Sequence, residues 1–157
     1  MRPEFRVYPF EPEHVLAIPD IEDINMGLIK SRAYLDAIQK CGPGFTLFNG
    51  NVVVGSVVFL NLWSGLAEVV MFISRSEIEK NPLTSFKICK ENIDRLQKEN
   101  KWRRIQANIV KTSKRNIRWA KHLGFEVEHV RESFGPGGED CVEMVRIRKD
   151  ANAKFTT

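Results

Sequence analysis

The chain has 157 residues, of which 43% are hydrophobic and 28% charged, a composition that excludes a disordered segment and suits one domain able to bury its own core. Its longest near-apolar run, Val52 to Leu60, is broken by Gly55 and Ser56 and falls short of the ~18 to 20 apolar residues of a membrane helix; the opening Met1-Arg2-Pro3-Glu4-Phe5 has no apolar h-region, so no secretory signal is expected. The net charge of +4 is uneven, with 11 Lys/Arg against 13 Asp/Glu up to Asn100 and 13 against 7 from Lys101 onward, so any attraction for phosphates, anionic cofactors or acidic proteins belongs to the last third.

Glu4 to Phe10 reads as an opening strand closed by Pro9 and Pro12. Asp20 then suits the N-cap of a long helix in which Ile21, Ile24, Leu28, Leu35 and Ile38 keep helical spacing, with Gly42-Pro43-Gly44 as its stop. Phe45 to Phe48, Asn49-Gly50 and the run Val52 to Leu62 give the strongest hairpin signal, because Asn-Gly favours the positive φ angles of a type I′ turn. Ser64-Gly65 returns the chain into Leu66 to Ile73, so three consecutive antiparallel strands are expected. Val52 to Leu62 hardly alternates, which predicts a central strand covered on both faces.

Asn81-Pro82 is a helix start, with Leu83, Phe86, Cys89, Ile93 and Leu96 as the buried face. Arg104 to Val110 alternates, placing Ile105, Ala107 and Ile109 on one side and Arg104, Gln106 and Asn108 on the other. A short helix from about Ser113 to His122 ends at Gly124, the residue type of a left-handed C-cap. Strands near Phe125 to Glu132 and Cys141 to Ile147 enclose the loop Gly135-Pro136-Gly137-Gly138. The expected order is β α β β β α β α β β in one domain, residues 1–150, followed by a short tail, 151–157.

Cys41, Cys89 and Cys141 are odd in number and widely spaced, which fits neither a disulfide framework nor clustered ligands, so a reducing compartment is expected. His14, His122 and His129 show no metal-ligand spacing and no Glu-His or Cys-His pair stands out, so no metal site is expected. Lys114, Arg118 and Lys121 fall on one helix face and offer a grip for a 3′-phosphate, a nucleic-acid backbone or an acidic protein, or simply a solvated surface. No aromatic-basic pattern of the RNA-reading kind supports the nucleic acid.

The element order, and above all Ser113 to Phe125 (SKRNIRWAKHLGF) with a strand pair after it, resembles the GCN5-related N-acetyltransferase fold. RRIQANIV, NIRWAKHLGF and FGPGGEDC are similar to acetyltransferase-like proteins of tailed bacteriophages, some grouped with the internal virion protein A of podoviruses. The resemblance implies an α/β (α+β) single-domain fold with a mixed, mostly antiparallel central sheet flanked by helices. It also implies two alternatives for function. One is a virion structural or assembly component with a degenerate acetyl-CoA site and no cofactor, working among other virion proteins in the host cytoplasm or virion. The other is an acetyl-CoA-dependent N-acetyltransferase acting on a protein or small-molecule amine. Partner, acceptor and oligomeric state stay open.

Members of that fold splay two central strands around acetyl-CoA and cradle its pyrophosphate on a loop of the form Q/R-x-x-G-x-G/A. Glycine lets the backbone approach the phosphates, and the helix N-terminus adds partial positive charge. The corresponding stretch, Ser74 to Thr84, has no glycine, and none occurs between Gly65 and Gly124. Glu77 and Glu79 are negative where an anion should arrive, and Pro82 has no amide hydrogen to donate. What remains for the cofactor is the backbone at Phe72 and Ile73, the cations Arg75 and Lys80, and the free amides of Leu83 and Thr84. Many members place a cofactor-binding Asn and, seven residues later, a proton-donating Tyr in the following helix; here those positions are Ser113 and Ala120. Ser113 can hydrogen-bond or cap its helix, whereas Ala120 cannot donate a proton. Glu68, near the start of Leu66 to Ile73, stands where members often place the carboxylate base.

Losing two charge-assisted hydrogen bonds at about 1.5 to 3 kcal/mol each costs on the order of a hundredfold or more in affinity. Acetyl-CoA is therefore expected to bind the wild-type chain no tighter than roughly 100 μM; a calorimetric titration with a low-micromolar midpoint would contradict this.

Overall fold

The computed structural model describes residues 2–23 and 31–148. In chain order its elements are β1 (Phe5–Pro9), α1 (Pro12–Leu16), β2 (Ile21–Asp23), α2 (Arg32–Gln39), β3 (Gly44–Asn49), β4 (Val52–Trp63), β5 (Leu66–Ser74), α3 (Arg75–Lys80), α4 (Pro82–Glu99), β6 (Arg104–Val110), α5 (Lys114–His122), β7 (Glu126–Arg131) and β8 (Cys141–Ile147). Ile24, Leu28 and the tail 151–157 lie outside the described residues. No helix among the described residues is long and apolar enough to cross a membrane.

Local turn chemistry builds the first half of the sheet. β3, β4 and β5 form the expected antiparallel meander, but the first turn differs from the type I′ expectation. Asn49 pairs with Val52, and positive φ is confined to Gly50 at +60°, so the loop is Gly50-Asn51 with glycine at the first central position, the requirement of a II′ turn. Of the run Val52 to Leu62, the stretch Val53 to Phe59 is covered on both faces as its lack of alternation predicts, whereas Val52 and Leu62 at its ends are exposed. At the end of α5, Gly124 has φ +95°, the Gly124 amide donates to Lys121 and the Phe125 amide to Ala120. That pair of bonds is the Schellman arrangement, and it closes the helix before β7.

The strand order is β1-β3-β4-β5-β6-β8-β7, with β2 paired to β5. The pairing is antiparallel except between β5 and β6, which are joined through α3 and α4, as a parallel crossover requires. One face of β5 (Ala67, Val69, Met71, Ile73) joins Ile93 and Leu96 of α4 in the larger core. The other face (Val70, Phe72) packs with Val15 of α1 and Leu35 and Ile38 of α2. By alternation Glu68 belongs to this second face. Trp102 locks the corner after α4, stacked on Phe59 at 5.0 Å with its Nε1–H donated to Asn61 Oδ1 at 2.8 Å.

Two expectations are corrected. The helix foreseen from Asp20 begins only at Arg32, where Ser31 Oγ accepts the Tyr34 amide at 3.0 Å. Ile21–Asp23 forms a strand instead, because β5 offers it backbone partners that local helical spacing cannot match. Leu83, expected in the core, is 82% exposed and lies on the side of α4 that faces α5.

His14 supplies a pH-dependent element of stability. Its Nδ1 accepts the Glu11 amide at 3.2 Å and lies 2.7 Å from Thr46 Oγ1, which is 2.8 Å from the buried Ser56 Oγ. Burial pulls the His14 pKa below the ordinary histidine value, against Glu11 and Glu13, which favour the charged ring. The unfolded chain therefore takes up a proton near pH 6.5 that the folded chain resists, so His14 costs stability as pH falls below about 6.5. Between about pH 7.5 and pH 5.5 the wild-type Tm is expected to fall more than that of His14→Gln; parallel Tm profiles in calorimetry would contradict this.

Candidate active site

β5 and β6 are paired over only three positions, Leu66 with Arg104, Ala67 with Ile105 and Glu68 with Gln106. Beyond them β5 continues to Ser74 and β6 to Val110 without pairing to each other. The central sheet therefore opens into a V whose apex is Glu68. The Glu68 carboxylate is half-buried, and its Oε1 accepts Gln106 Nε2–H at 3.1 Å and Asn108 Nδ2–H at 3.5 Å. Asn108 is only 2% exposed, and its Oδ1 has no hydrogen-bond partner, a cost of about 1 to 3 kcal/mol where nothing compensates it. A carboxylate held by neutral amides at the apex of a cleft can accept a proton from a substrate amine.

Phe72 and Ile73 lie on the open arm of β5. One of their backbone edges pairs with β4, through Ser56 and Gly55. The other pairs with β2, as Asp23 with Phe72, Glu22 with Ile73 and Ile21 with Ser74. β2 thus lies along the edge that β6 leaves. Just before it, Asp20 accepts the Ser76 amide on Oδ2 and the Ser74 hydroxyl on Oδ1, each at 2.8 Å. The Ser76 amide bond, ahead of the serine hydroxyls, holds the Asp20 carboxyl below its usual pKa. Asp20 starts no helix of its own; its carboxylate supplements Ser74, the N-cap of α3, by accepting the Ser76 amide.

The cations expected near a phosphate are engaged with the acids of the same short helix, Lys80 with Glu77 at 2.7 Å and Arg75 with Glu79 at 3.5 Å. Asn81 makes no side-chain cap on α4, so Leu83 and Thr84, both exposed, keep amides that the helix itself does not use. Leu83 lines a pocket of about 540 Å³ between the start of α4 and α5, with Phe86, Arg115, Arg118, Trp119 and His122. Phe86 packs on Trp119 at 5.7 Å and on His122 at 6.1 Å, and the Arg115 guanidinium lies 4.8 Å above the Trp119 ring. The pocket-lining side of α5 is a neighbour of the stripe foreseen from spacing; only Arg118 belongs to both. The signal for it was the i, i+3, i+4, i+7 set at 115, 118, 119 and 122. Ser113 stands at the N-cap of α5 without a side-chain cap bond, and Ala120 is buried in the core.

A second polar cluster lies toward the sheet edge. Glu143, 1% exposed, accepts Arg131 Nη2–H at 2.9 and 3.1 Å, meets His129 Nε2 at 2.9 Å and lies 3.7 Å from Arg104. Arg104 forms a two-point bridge to Glu128 at 2.6 and 2.7 Å. That bridge raises the Arg104 pKa and lowers that of Glu128. The His129–Glu143 pair was not legible locally, since the β7–β8 register brings the two residues opposite each other. Glu128, His129 and Glu143 have ligand atoms within 4.8 Å of one another. Two guanidiniums already neutralise these carboxylates, so an added cation would meet opposing charge.

No family model matches the chain, and no curated protein matches it in sequence. Solved structures match its fold over nearly its full length. A Bacillus subtilis acetyltransferase in complex with CoA has a TM-score of 0.69 at 15% identity, covering 92% of this chain and 99% of its own. The Escherichia coli ribosomal-protein-S18-alanine N-acetyltransferase has a TM-score of 0.74 at 13% identity, covering 98% and 100%. An Elizabethkingia anophelis GNAT family acetyltransferase with acetyl-CoA bound has a TM-score of 0.66 at 15% identity, covering 92% and 98%. The chain has the single-domain α/β fold of the GCN5-related N-acetyltransferases.

The Glu143 cluster sets a stability prediction. Glu143→Ala removes the buried acceptor of Arg131 and His129, which themselves keep access to water, and is expected to cost about 1 to 3 kcal/mol in urea unfolding, while added Zn²⁺ leaves the wild-type Tm unchanged. A loss below about 1 kcal/mol, or a saturable rise in Tm with zinc, would contradict the ion-pair account.

Proposed function

We propose that this protein is an acetyl-CoA-dependent N-acetyltransferase acting on a protein or small-molecule amine. The observation that carries the reading is the V between β5 and β6 with the Glu68 carboxylate at its apex, held by Gln106 and Asn108. The fold shared with acetyltransferases supports it.

The residues fit the cofactor in part. Phe72 and Ile73 would hold its extended arm by backbone pairing, once β2 leaves that edge. Leu83 and Thr84 would give amides at the start of α4, and Arg118 with the Phe86, Trp119 and His122 rings would take the phosphate and base end. When bound, acetyl-CoA supplies an acetyl group activated as a thioester. Glu68 takes the proton of the acceptor ammonium, which frees the nitrogen lone pair for attack. Gln106 and Asn108 fix the carboxylate through Oε1, and the buried Asn108 Oδ1 offers an acceptor beside it. Ala120 offers no proton, so this chain has no side-chain acid at the position where many relatives of the fold carry tyrosine.

A non-catalytic scaffold is the second reading. It is favoured by the lack of glycine between Gly65 and Gly124 and by the engagement of Arg75 and Lys80 with Glu79 and Glu77. The virion and assembly role implied by the phage resemblance belongs to this reading, and the structural neighbours add nothing to it.

Release of free thiol from millimolar acetyl-CoA in the presence of a panel of peptides and polyamines separates the two. The enzyme reading predicts amine-dependent release that Glu68→Gln lowers about 10²- to 10⁴-fold in kcat, with the fold unchanged by circular dichroism. Amine-dependent release that is indifferent to Glu68→Gln removes Glu68 as base. No release with any amine favours the scaffold.

A further inference from the structure

The groove assigned to the cofactor has an occupant from the same chain. At Phe72 and Ile73 β5 has two backbone edges, and β4 takes one of them. The inner edge, which β6 leaves after Glu68, pairs antiparallel with Ile21–Asp23. Immediately before that strand the Asp20 carboxylate rests on the Ser76 amide and the Ser74 hydroxyl. An extended backbone followed by an anion therefore lies along the arm of the V and over the first turn after it. The extended arm of acetyl-CoA would need that same backbone edge, and the carboxylate is what pins the segment there. A backbone edge forms one ladder at a time.

We propose that Asp20–Asp23 is a built-in competitor for the cofactor groove, which acetyl-CoA must displace before the acetyltransferase can act. The proposal rests on the acetyltransferase reading, and it adds a regulated state to it.

Several features make the occupant displaceable. Its ladder is three residues long, and Asp20 is exposed to water. Asp20 lies outside the core clusters and Ile21 is only partly buried against the smaller one, so release of the segment exposes part of a single apolar side chain there. The competition also gives a second cause, beside the glycine-free α3–α4 segment, for weak cofactor affinity. Cofactor affinity falls by the fraction of molecules in which the groove is open. A partner or substrate that draws residues 20–23 away would raise it without touching the cofactor.

The test is calorimetric titration of acetyl-CoA into three full-length proteins: wild type, Asp20→Ala and Glu22→Pro. The first variant removes the anion. The second removes a β2 amide hydrogen and disfavours the ladder. The proposal expects both variants to bind at least tenfold more tightly than wild type. Equal affinity in all three overturns the competitor while leaving the acetyltransferase reading intact. No detectable binding by any of them removes the acetyltransferase reading and the competitor with it. Should either variant melt near room temperature, hydrogen exchange on the wild type decides. Millimolar acetyl-CoA is expected to increase exchange at the amides of residues 21–23, and unchanged exchange in protein carrying bound acetyl-CoA overturns the proposal.

Discussion

The parallel ladder between β5 and β6 ends after three pairs, and most of the molecule's character follows from that. Each strand is fully committed on its other side: β5 pairs with β4 from Leu66 to Ile73, and β6 pairs with β8 along all seven of its residues. The two half-sheets are thus continuous within themselves and joined only at Leu66 to Glu68. A strand edge left in the middle of a sheet carries backbone donors and acceptors that need partners. β2 meets that need at Phe72 to Ser74, and Asp20 satisfies the start of α3 next to it. The opening that would admit a cofactor is therefore also the constraint that draws residues 20–23 inward.

The same geometry separates two carboxylates on the polar side of the sheet. Glu143 is surrounded by Arg131, Arg104 and His129, and the two guanidiniums hold it as part of the framework. Glu68 has hydrogen bonds from the neutral amides of Gln106 and Asn108 and stands where the ladder opens. A carboxylate that is 1% exposed with both oxygens engaged is closed to a substrate amine. One tied to amides at the apex of a cleft is placed for proton transfer. Position and partners, rather than residue type, distinguish the catalytic candidate from the structural one.

What was legible in the sequence was whatever is decided locally. Gly50, Gly65 and Gly124 mark turns because positive φ is a property of the residue, and all three have it. Asn81-Pro82 starts α4 because proline suits a first helical turn. Asp20 failed as a long-helix start for the opposite reason. Its carboxylate does accept a first-turn amide, but of a helix whose N-cap is Ser74, more than fifty residues later in the chain. The Ile21 spacing gave way to a tertiary ladder. Leu83 looked buried because helical periodicity does not say which end of an apolar stripe reaches past its packing partners. The α4–α5 pocket and the His129–Glu143 pair needed register and packing, which no single segment carries.

We propose the V between β5 and β6 as an acetyl-CoA site. Amide-resolved NMR of the ¹⁵N-labelled protein during titration with acetyl-CoA tests it most directly. The account predicts saturable shifts that cluster at Phe72, Ile73, Ser74, Leu83, Thr84 and Arg118, together with residues 20–23. Saturable shifts confined to another surface, or none at millimolar acetyl-CoA, would contradict it.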